Sequence, residues 1–163
     1  MTTIAFDGKV LAADGQLTRG SNICNLNTQK LFVCPPDEEW WITGERIVVF
    51  GVSGDITGQL ALLETVRLRP GYKGLTQSSQ LPAKMDFTFL MLLASGKAIV
   101  GGKREDDVSL WWSEATPPLA TGSGYEYALG AMKMGANAVR AVEIASECDI
   151  YTGGEISTYE LRR

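Results

Sequence analysis

The chain has 163 residues, 45% hydrophobic and 21% charged, which bounds it to one ordinary globular domain with a sizeable core. A net charge of −4 disfavours a nucleic-acid partner, and no apolar run is long enough to span a membrane. Histidine is absent, which excludes Ser-His-Asp and Cys-His catalysis and most zinc sites.

Residues 3–6 and 9–13 read as apolar strands joined by Asp7-Gly8, a strong hairpin signal. Such a hairpin sets Thr2 beside Asp14. With Met1 removed, Thr2 would carry a hydroxyl and a free α-amine on one residue, a nucleophile with its base attached. Residues 16–28 are polar, with Ile23 and Leu26 as short-strand residues, and an apolar strand restarts over 30–33. Pro35-Pro36-Asp37-Glu38-Glu39 is a turn, 40–43 a short strand, and 47–52 a continuous apolar run that reads as a central strand. Ser53-Gly54-Asp55 offers a helix start, Ile56, Leu60, Leu63 and Val66 supply its apolar stripe, and Pro70-Gly71 stops it. Residues 71–84 read as loop. Phe87–Leu93 and 98–102 are strands across a Ser95-Gly96-Lys97 turn, and 108–112 is another strand. Leu119-Ala120-Thr121 leads into Gly122-Ser123-Gly124. Helices follow from about Tyr125 to Met134 and over Ala138–Cys148, the second with Ala141, Ile144 and Ala145 on its apolar face. A short strand around 156–161 closes the chain.

This order gives an α/β (α+β) class with antiparallel sheets covered by helices, and not the alternation of a doubly wound fold. Cys24, Cys34 and Cys148 have no paired spacing and point to a reduced, cytoplasmic protein; no signal peptide is expected. Two local questions stay open. Asp14 and Lys30, at matching ends of neighbouring strands, read either as a buried ion pair or as a turn residue and a solvated lysine. The pairs Trp40-Trp41 and Trp111-Trp112 read either as core or as contact surface.

Several segments, taken together, resemble the proteasome β-subunit superfamily, most of all the bacterial HslV-type threonine peptidases. They are Thr2-Thr3-Ile4-Ala5-Phe6, Leu11-Ala12-Ala13-Asp14-Gly15-Gln16, Asn27-Thr28-Gln29-Lys30-Leu31, Gly51-Val52-Ser53-Gly54, Thr121-Gly122-Ser123-Gly124 and Cys148-Asp149-Ile150-Tyr151-Thr152-Gly153-Gly154. They occur in the family's order from Thr2 to about Leu161. The resemblance implies a single domain over residues 1–163 with the N-terminal nucleophile (Ntn) hydrolase fold, a four-layer αββα sandwich of two antiparallel sheets flanked by helices. It also assigns roles. Thr2 matches the nucleophile, with its own α-amine as base. Lys30 matches the lysine beside it, Asp14 the carboxylate holding that lysine, and Gly54 the backbone N–H that faces the oxyanion. Ser123, Asp149 and Thr152 match a polar cluster that orients the amine. The chain departs from the family pattern in extra residues between Lys30 and Gly54 and in a much shorter stretch between Arg67 and Phe87, where the family has a long helix.

The expected activity is threonine-type endopeptidase cleavage of peptide or unfolded-protein substrates inside a homo-oligomeric ring. An ATP-dependent unfoldase is a candidate partner, and no cofactor, metal, nucleic acid or membrane is expected. Two alternatives differ in class: a catalytically silent assembly protein, and an Ntn amidohydrolase acting on a small amide. Initiator methionine is expected to be removed before a residue as small as Thr2.

Overall fold

The computed structural model describes residues 1–162. Two compact units form, one from Met1–Leu31 with the segment from Thr116 onward, the other from Phe32–Ala115. In chain order the first segment carries β1 (Thr3–Phe6), β2 (Val10–Ala13), β3 (Leu17–Arg19) and β4 (Asn22–Asn25), and ends where β5 (Leu31–Val33) begins. Next come β6 (Trp41–Ile42), β7 (Glu45–Gly54), α1 (Ile56–Val66), β8 (Leu68–Arg69), β9 (Tyr72–Lys73), β10 (Phe87–Leu93), β11 (Ala98–Lys103) and β12 (Trp111–Ala115). The chain then returns to the first unit with β13 (Leu119–Gly122), α2 (Tyr125–Lys133), α3 (Ala138–Cys148) and β14 (Ser157–Glu160). The architecture is a strand-rich, antiparallel α+β fold. Among the described residues, no helix is long and apolar enough to cross a membrane.

The first unit is built on a four-stranded antiparallel sheet in the order β13-β1-β2-β14. Its centre is the Asp7-Gly8 hairpin, which pairs Ile4 with Ala13 and Phe6 with Leu11. Gly8 takes the left-handed φ of +102° that the turn requires. The Asp7 carboxylate accepts hydrogen bonds from Lys9 N and Val10 N with one oxygen and from Ala138 N, at the start of α3, with the other. Burial pushes the Asp7 pKa up, but these backbone N–H groups outweigh it and hold the carboxyl below its ordinary value. Ala5 and Ala12 of the sheet meet Ala128, Met132, Ala138, Ala141, Val142 and Ala145 of α2 and α3. Small side chains on both surfaces let the helices lie close. Val142 is buried in that contact, whereas Ile144, expected inward, is only half-buried.

The second unit holds the sheet β12-β11-β10-β7-β5, with β6 added on β7. Its core gathers Trp40, Phe50, Val52, Leu62, Phe87 and Phe89 among others. The α1 stripe expected from the sequence is out of phase with the core. Ile56 and Leu60 are 52% and 64% exposed, and the helix buries Gly58, Leu62, Thr65 and Val66 instead. The reason is Gly58, which rests on the Phe87 ring, where an added Cβ would fall 2.4 Å from Cδ1. A missing side chain, not an apolar one, sets the contact face.

Other elements also differ from expectation. Helix α1 ends at Val66, and Pro70-Gly71 forms the turn between β8 and β9, with Gly71 at φ +78°. Residues 71–84, expected as loop, therefore begin within a small hairpin. The strand expected over 108–112 lies at Trp111–Ala115, where Trp111 and Trp112 pair with Gly102 and Gly101; the missing side chains leave room for the Trp111 indole at Gly102 and for the Phe89 ring and Trp112 Cβ at Gly101. Ile23 falls in β4 but is 58% exposed, and Leu26 lies outside any strand. β13 was not expected as a strand. The tryptophans divide: Trp40 is buried and lies 5.3 Å from Phe50, Trp112 packs on the same core, and Trp111 is 45% exposed.

Candidate active site

Six of the seven residues singled out in the sequence lie in the first unit; β-pairing brings Thr2, Asp14 and Ser123 together, and the turns before Lys30 and after α3 add Lys30, Asp149 and Thr152. Thr3 N donates to Asp14 Oδ1 at 3.0 Å and Asp14 N to Thr3 O at 3.2 Å, so the hairpin ends with Thr2 and Asp14 on adjacent strands. On the other side of β1, Thr3 pairs with Gly122. That register carries Ser123 to Thr2, whose backbone N donates to Ser123 Oγ at 3.2 Å. With Met1 attached, this nitrogen is an amide and stands where an α-amine would be. The Thr2 hydroxyl donates to the Met1 carbonyl.

Lys30 and Asp14 form a buried ion pair, Nζ to Oδ1 at 2.9 Å, with side chains 3% and 1% exposed. Of the two open readings, the buried pair holds. The path to it is local. Thr28 N donates to Gly15 O at 2.8 Å, which turns the segment leading to Lys30 back across the Asp14 turn. Lys30 Nζ donates also to Gln16 O at 2.6 Å. Asp14 Oδ2 accepts from Gln16 N at 3.3 Å and Gly153 N at 3.0 Å. Burial pushes the Lys30 ammonium below its ordinary pKa, and the Asp14 charge and hydrogen bond oppose that shift without cancelling it.

Asp149 follows directly on α3. Its Oδ2 accepts from Ser123 Oγ and from Thr152 Oγ1, both at 2.6 Å, and its Oδ1 accepts from Tyr151 N at 3.1 Å. Thr152 Oγ1 lies 2.8 Å from Thr3 Oγ1. A hydroxyl has one proton. Thr152 and Ser123 both spend theirs on Asp149, so Thr3 donates to Thr152, and Ser123 is left to accept from Thr2 N. Burial raises the Asp149 pKa, but the Ser123 and Thr152 hydroxyls, the Tyr151 N–H and the charge of the chain's amino terminus together bring it below the usual carboxylate value.

Gly54, the seventh residue, belongs to the second unit. It ends β7 immediately ahead of α1, with φ at +115°. Asp55 N donates to Asp86 O at 3.0 Å. That bond flanks the Gly54–Phe87 pair and makes it a non-hydrogen-bonded pair, so the Gly54 N–H is directed away from β10.

Three residues of the first-unit cluster were missed in the sequence. Thr3 joins β1 to Thr152. Gln16, 4% exposed, donates through Nε2 to Ile150 O at 2.9 Å. Gly124 leaves room for both hydroxyls, since a Cβ there would fall 2.1 Å from Thr3 Oγ1 and 3.0 Å from Thr152 Oγ1. Thr3, Gln16 and Gly124 each lie inside a segment that carries the family resemblance, which was the signal that could have found them. Among the described residues, no group of three or more His, Cys, Asp or Glu side chains is placed to hold a metal ion.

Solved structures share this fold. One is BPH of Thiobacillus denitrificans in complex with epoxomicin, 18% identical over 99% of this chain and 98% of that one, with a TM-score of 0.65. Another is the helical assembly of the Anbu complex from Pseudomonas aeruginosa, 14% identical over 99% and 81% of the two chains, at 0.61. Anbu from Hyphomicrobium sp. strain MC1 matches at 14% identity and 0.61, over 99% and 82%. This chain therefore shares the fold of the BPH and Anbu structures. No family model matches the chain, and no curated protein matches it by sequence.

The likeness to HslV-type peptidases expected from the sequence is corrected by these findings, since the neighbours are BPH and Anbu proteins and share 18% identity or less. The motifs behind that expectation are short turns and strand ends. They report local backbone geometry, which is too general to single out one peptidase type.

Proposed function

We propose that this chain is a threonine-type endopeptidase in which residues 1–163 act as one four-layer αββα Ntn-hydrolase domain and Thr2, freed of Met1, is the nucleophile. The observation that carries the reading is the hydrogen bond from Thr2 N to Ser123 Oγ, with Ser123 itself oriented by Asp149. That arrangement holds one N–H of a Thr2 α-amine and leaves its lone pair to take the proton from Oγ1. The freed oxygen attacks the substrate carbonyl. Lys30, oriented by Asp14, supplies positive charge that favours the neutral amine and the forming alkoxide. The Gly54 N–H, at the positive end of α1, receives the tetrahedral oxyanion. The amine returns its proton to the leaving nitrogen as the C–N bond breaks, which leaves an ester on Thr2. Water, deprotonated by the same amine, hydrolyses that ester.

The test compares preparations of known N-terminal composition on a fluorogenic peptide and with epoxomicin, the ligand of the BPH structure. Met1-free protein should hydrolyse the peptide and gain the mass of epoxomicin, while Met1-retaining protein should do neither. Equal activity from the two preparations would remove Thr2 from the mechanism.

A second reading is favoured by the bond from the Thr2 hydroxyl to the Met1 carbonyl. A chain that keeps Met1 has no amine at Thr2 and an engaged nucleophile, and it would serve as a silent assembly protein. We further propose that the chain self-associates in a reducing, cytoplasmic compartment. The helical assembly of the Anbu complex from Pseudomonas aeruginosa, which shares this fold, supports self-association. A monomer in sedimentation at micromolar concentration would count against enclosure.

A further inference from the structure

Lys103 is 1% exposed, and none of the roles above uses it. It ends β11 and pairs across the sheet with Phe87, the first residue of β10. Its Nζ donates to Met85 O and Arg104 O, both at 3.1 Å. Among the described residues, no carboxylate lies within ion-pairing distance of it. A buried ammonium without a counter-charge is expensive, and a methionine of similar length would fill the same space without that cost. What the ammonium provides, and an apolar side chain cannot, is a fixed position for the Met85 carbonyl.

That carbonyl immediately precedes the surface on which Gly54 rests. A Cβ on Gly54 would lie 2.5 Å from Asp86 O and 2.8 Å from Phe87 Cα, so the glycine backbone is seated directly on residues 86 and 87. Two bonds lock the contact: Asp55 N donates to Asp86 O at 3.0 Å, and Asp86 N donates to Asp55 Oδ2 at 2.9 Å. Upstream, Lys84 N donates to Glu105 O at 2.7 Å, and Lys84 itself takes a φ of +66°. The segment 84–87 is therefore bound to β11 and its exit on one side and to the Gly54–Asp55 turn on the other. Lys103 supplies a side-chain tie to the β11 side.

We propose that Lys103 is a positioning residue for the Gly54 N–H: by anchoring the Met85 carbonyl it sets residues 86 and 87, and through them the direction of the Gly54 peptide. The inference rests on the reading of Gly54 as the oxyanion donor. Lys103 touches no substrate in this scheme. It acts on the transition state through backbone placement, so its loss should lower kcat and leave KM nearly unchanged.

The experiment uses Met1-free full-length protein and the variants Lys103→Met and Lys103→Arg. Two readings are taken: steady-state peptide hydrolysis, and the amide resonances of Gly54, Asp55 and Asp86, with Ser123 and Tyr151 as controls. Lys103→Met should lower kcat about 10- to 100-fold, less than the about 10²–10³ of outright donor loss, with KM within about twofold. The Gly54 and Asp86 resonances should move while those of Ser123 and Tyr151 stay. Lys103→Arg, which can donate to both carbonyls, should recover most of kcat. An unchanged kcat with unmoved Gly54 resonances would overturn the proposal, as would kcat falling only in step with the folded fraction. If Lys103→Met does not fold, the same readings on Lys103→Gln, which keeps a shorter donor, decide in the same way. If the parent protein hydrolyses no peptide, the functional reading has failed. The resonances then still decide whether Lys103 places the Gly54 peptide.

Discussion

Replacing Lys30 with methionine removes the ammonium and keeps the length of the side chain, so the effect on the fold can be worked from the contacts. The pair it breaks is 2.9 Å long and almost wholly buried. Removing one partner of a buried pair typically costs about 3–5 kcal/mol, because the other charge is stranded. Here the stranded charge is well supported. Asp14 still accepts from Thr3 N, Gln16 N and Gly153 N, which places the loss at the lower end. Against that, the Gln16 carbonyl loses its 2.6 Å donor. We expect a net loss of about 3–4 kcal/mol. At about 2–4 °C per kcal/mol for a chain of this size, the midpoint should fall by about 6–16 °C. Chemical denaturation of Lys30→Met, Asp14→Asn and the double variant, read as a cycle, should give a coupling energy of at least about 1 kcal/mol. Peptide turnover by Lys30→Met should fall by about 10²–10³ from lost electrostatic stabilisation, beyond any loss of folded protein. A stability loss below about 1 kcal/mol with additive single variants would refute the buried-pair reasoning. Near-normal turnover would remove Lys30 from the chemistry.

Three other outcomes are expected. Thr2→Ser in Met1-free protein should keep part of the activity, since serine retains both hydroxyl and amine, whereas Thr2→Ala should fold and be inactive; a peptide assay beside circular dichroism checks both. Gly124→Ala should lose about 1–3 kcal/mol by thermal unfolding, because its Cβ would displace the Thr3 and Thr152 hydroxyls, and it should slow turnover by disturbing Asp149. Asp7→Asn should lose about 1–2 kcal/mol at neutral pH, since its amide cannot accept from both the hairpin turn and Ala138 N. The Asp7 carboxyl lies below its ordinary value in the fold, so its stabilisation is complete above about pH 4 and is lost as pH falls through the folded-state value. The difference between parent and Asp7→Asn in denaturation midpoint should therefore shrink on acidification, and a constant difference from pH 7 to pH 3 would contradict the assignment.

The sequence by itself determined the elements whose cause is local. The Asp7-Gly8 hairpin, the strand at Phe87–Leu93 and the helix at Ala138–Cys148 follow from turn chemistry and apolar pattern, which neighbouring residues carry. The polar residues around Thr2 were named by the family resemblance; local pattern alone left Asp14 and Lys30 open between a buried pair and a turn residue with a solvated lysine, and the 2.9 Å buried contact decided it. Tertiary structure decided what depends on a distant partner. The phase of α1 is set by Gly58 against Phe87, and a stripe of Ile56 and Leu60 gives the same period with the wrong face. β13 exists because β1 pairs with it, and no run of apolar residues announces it. Thr3, Gln16 and Gly124 joined the cluster only when strand register and the chain reversal at 149–154 brought hydroxyl, amide and empty space into contact. Periodicity records spacing along one element, while contact between elements depends on register and on which side chains are missing, and neither is written in a single stretch of chain.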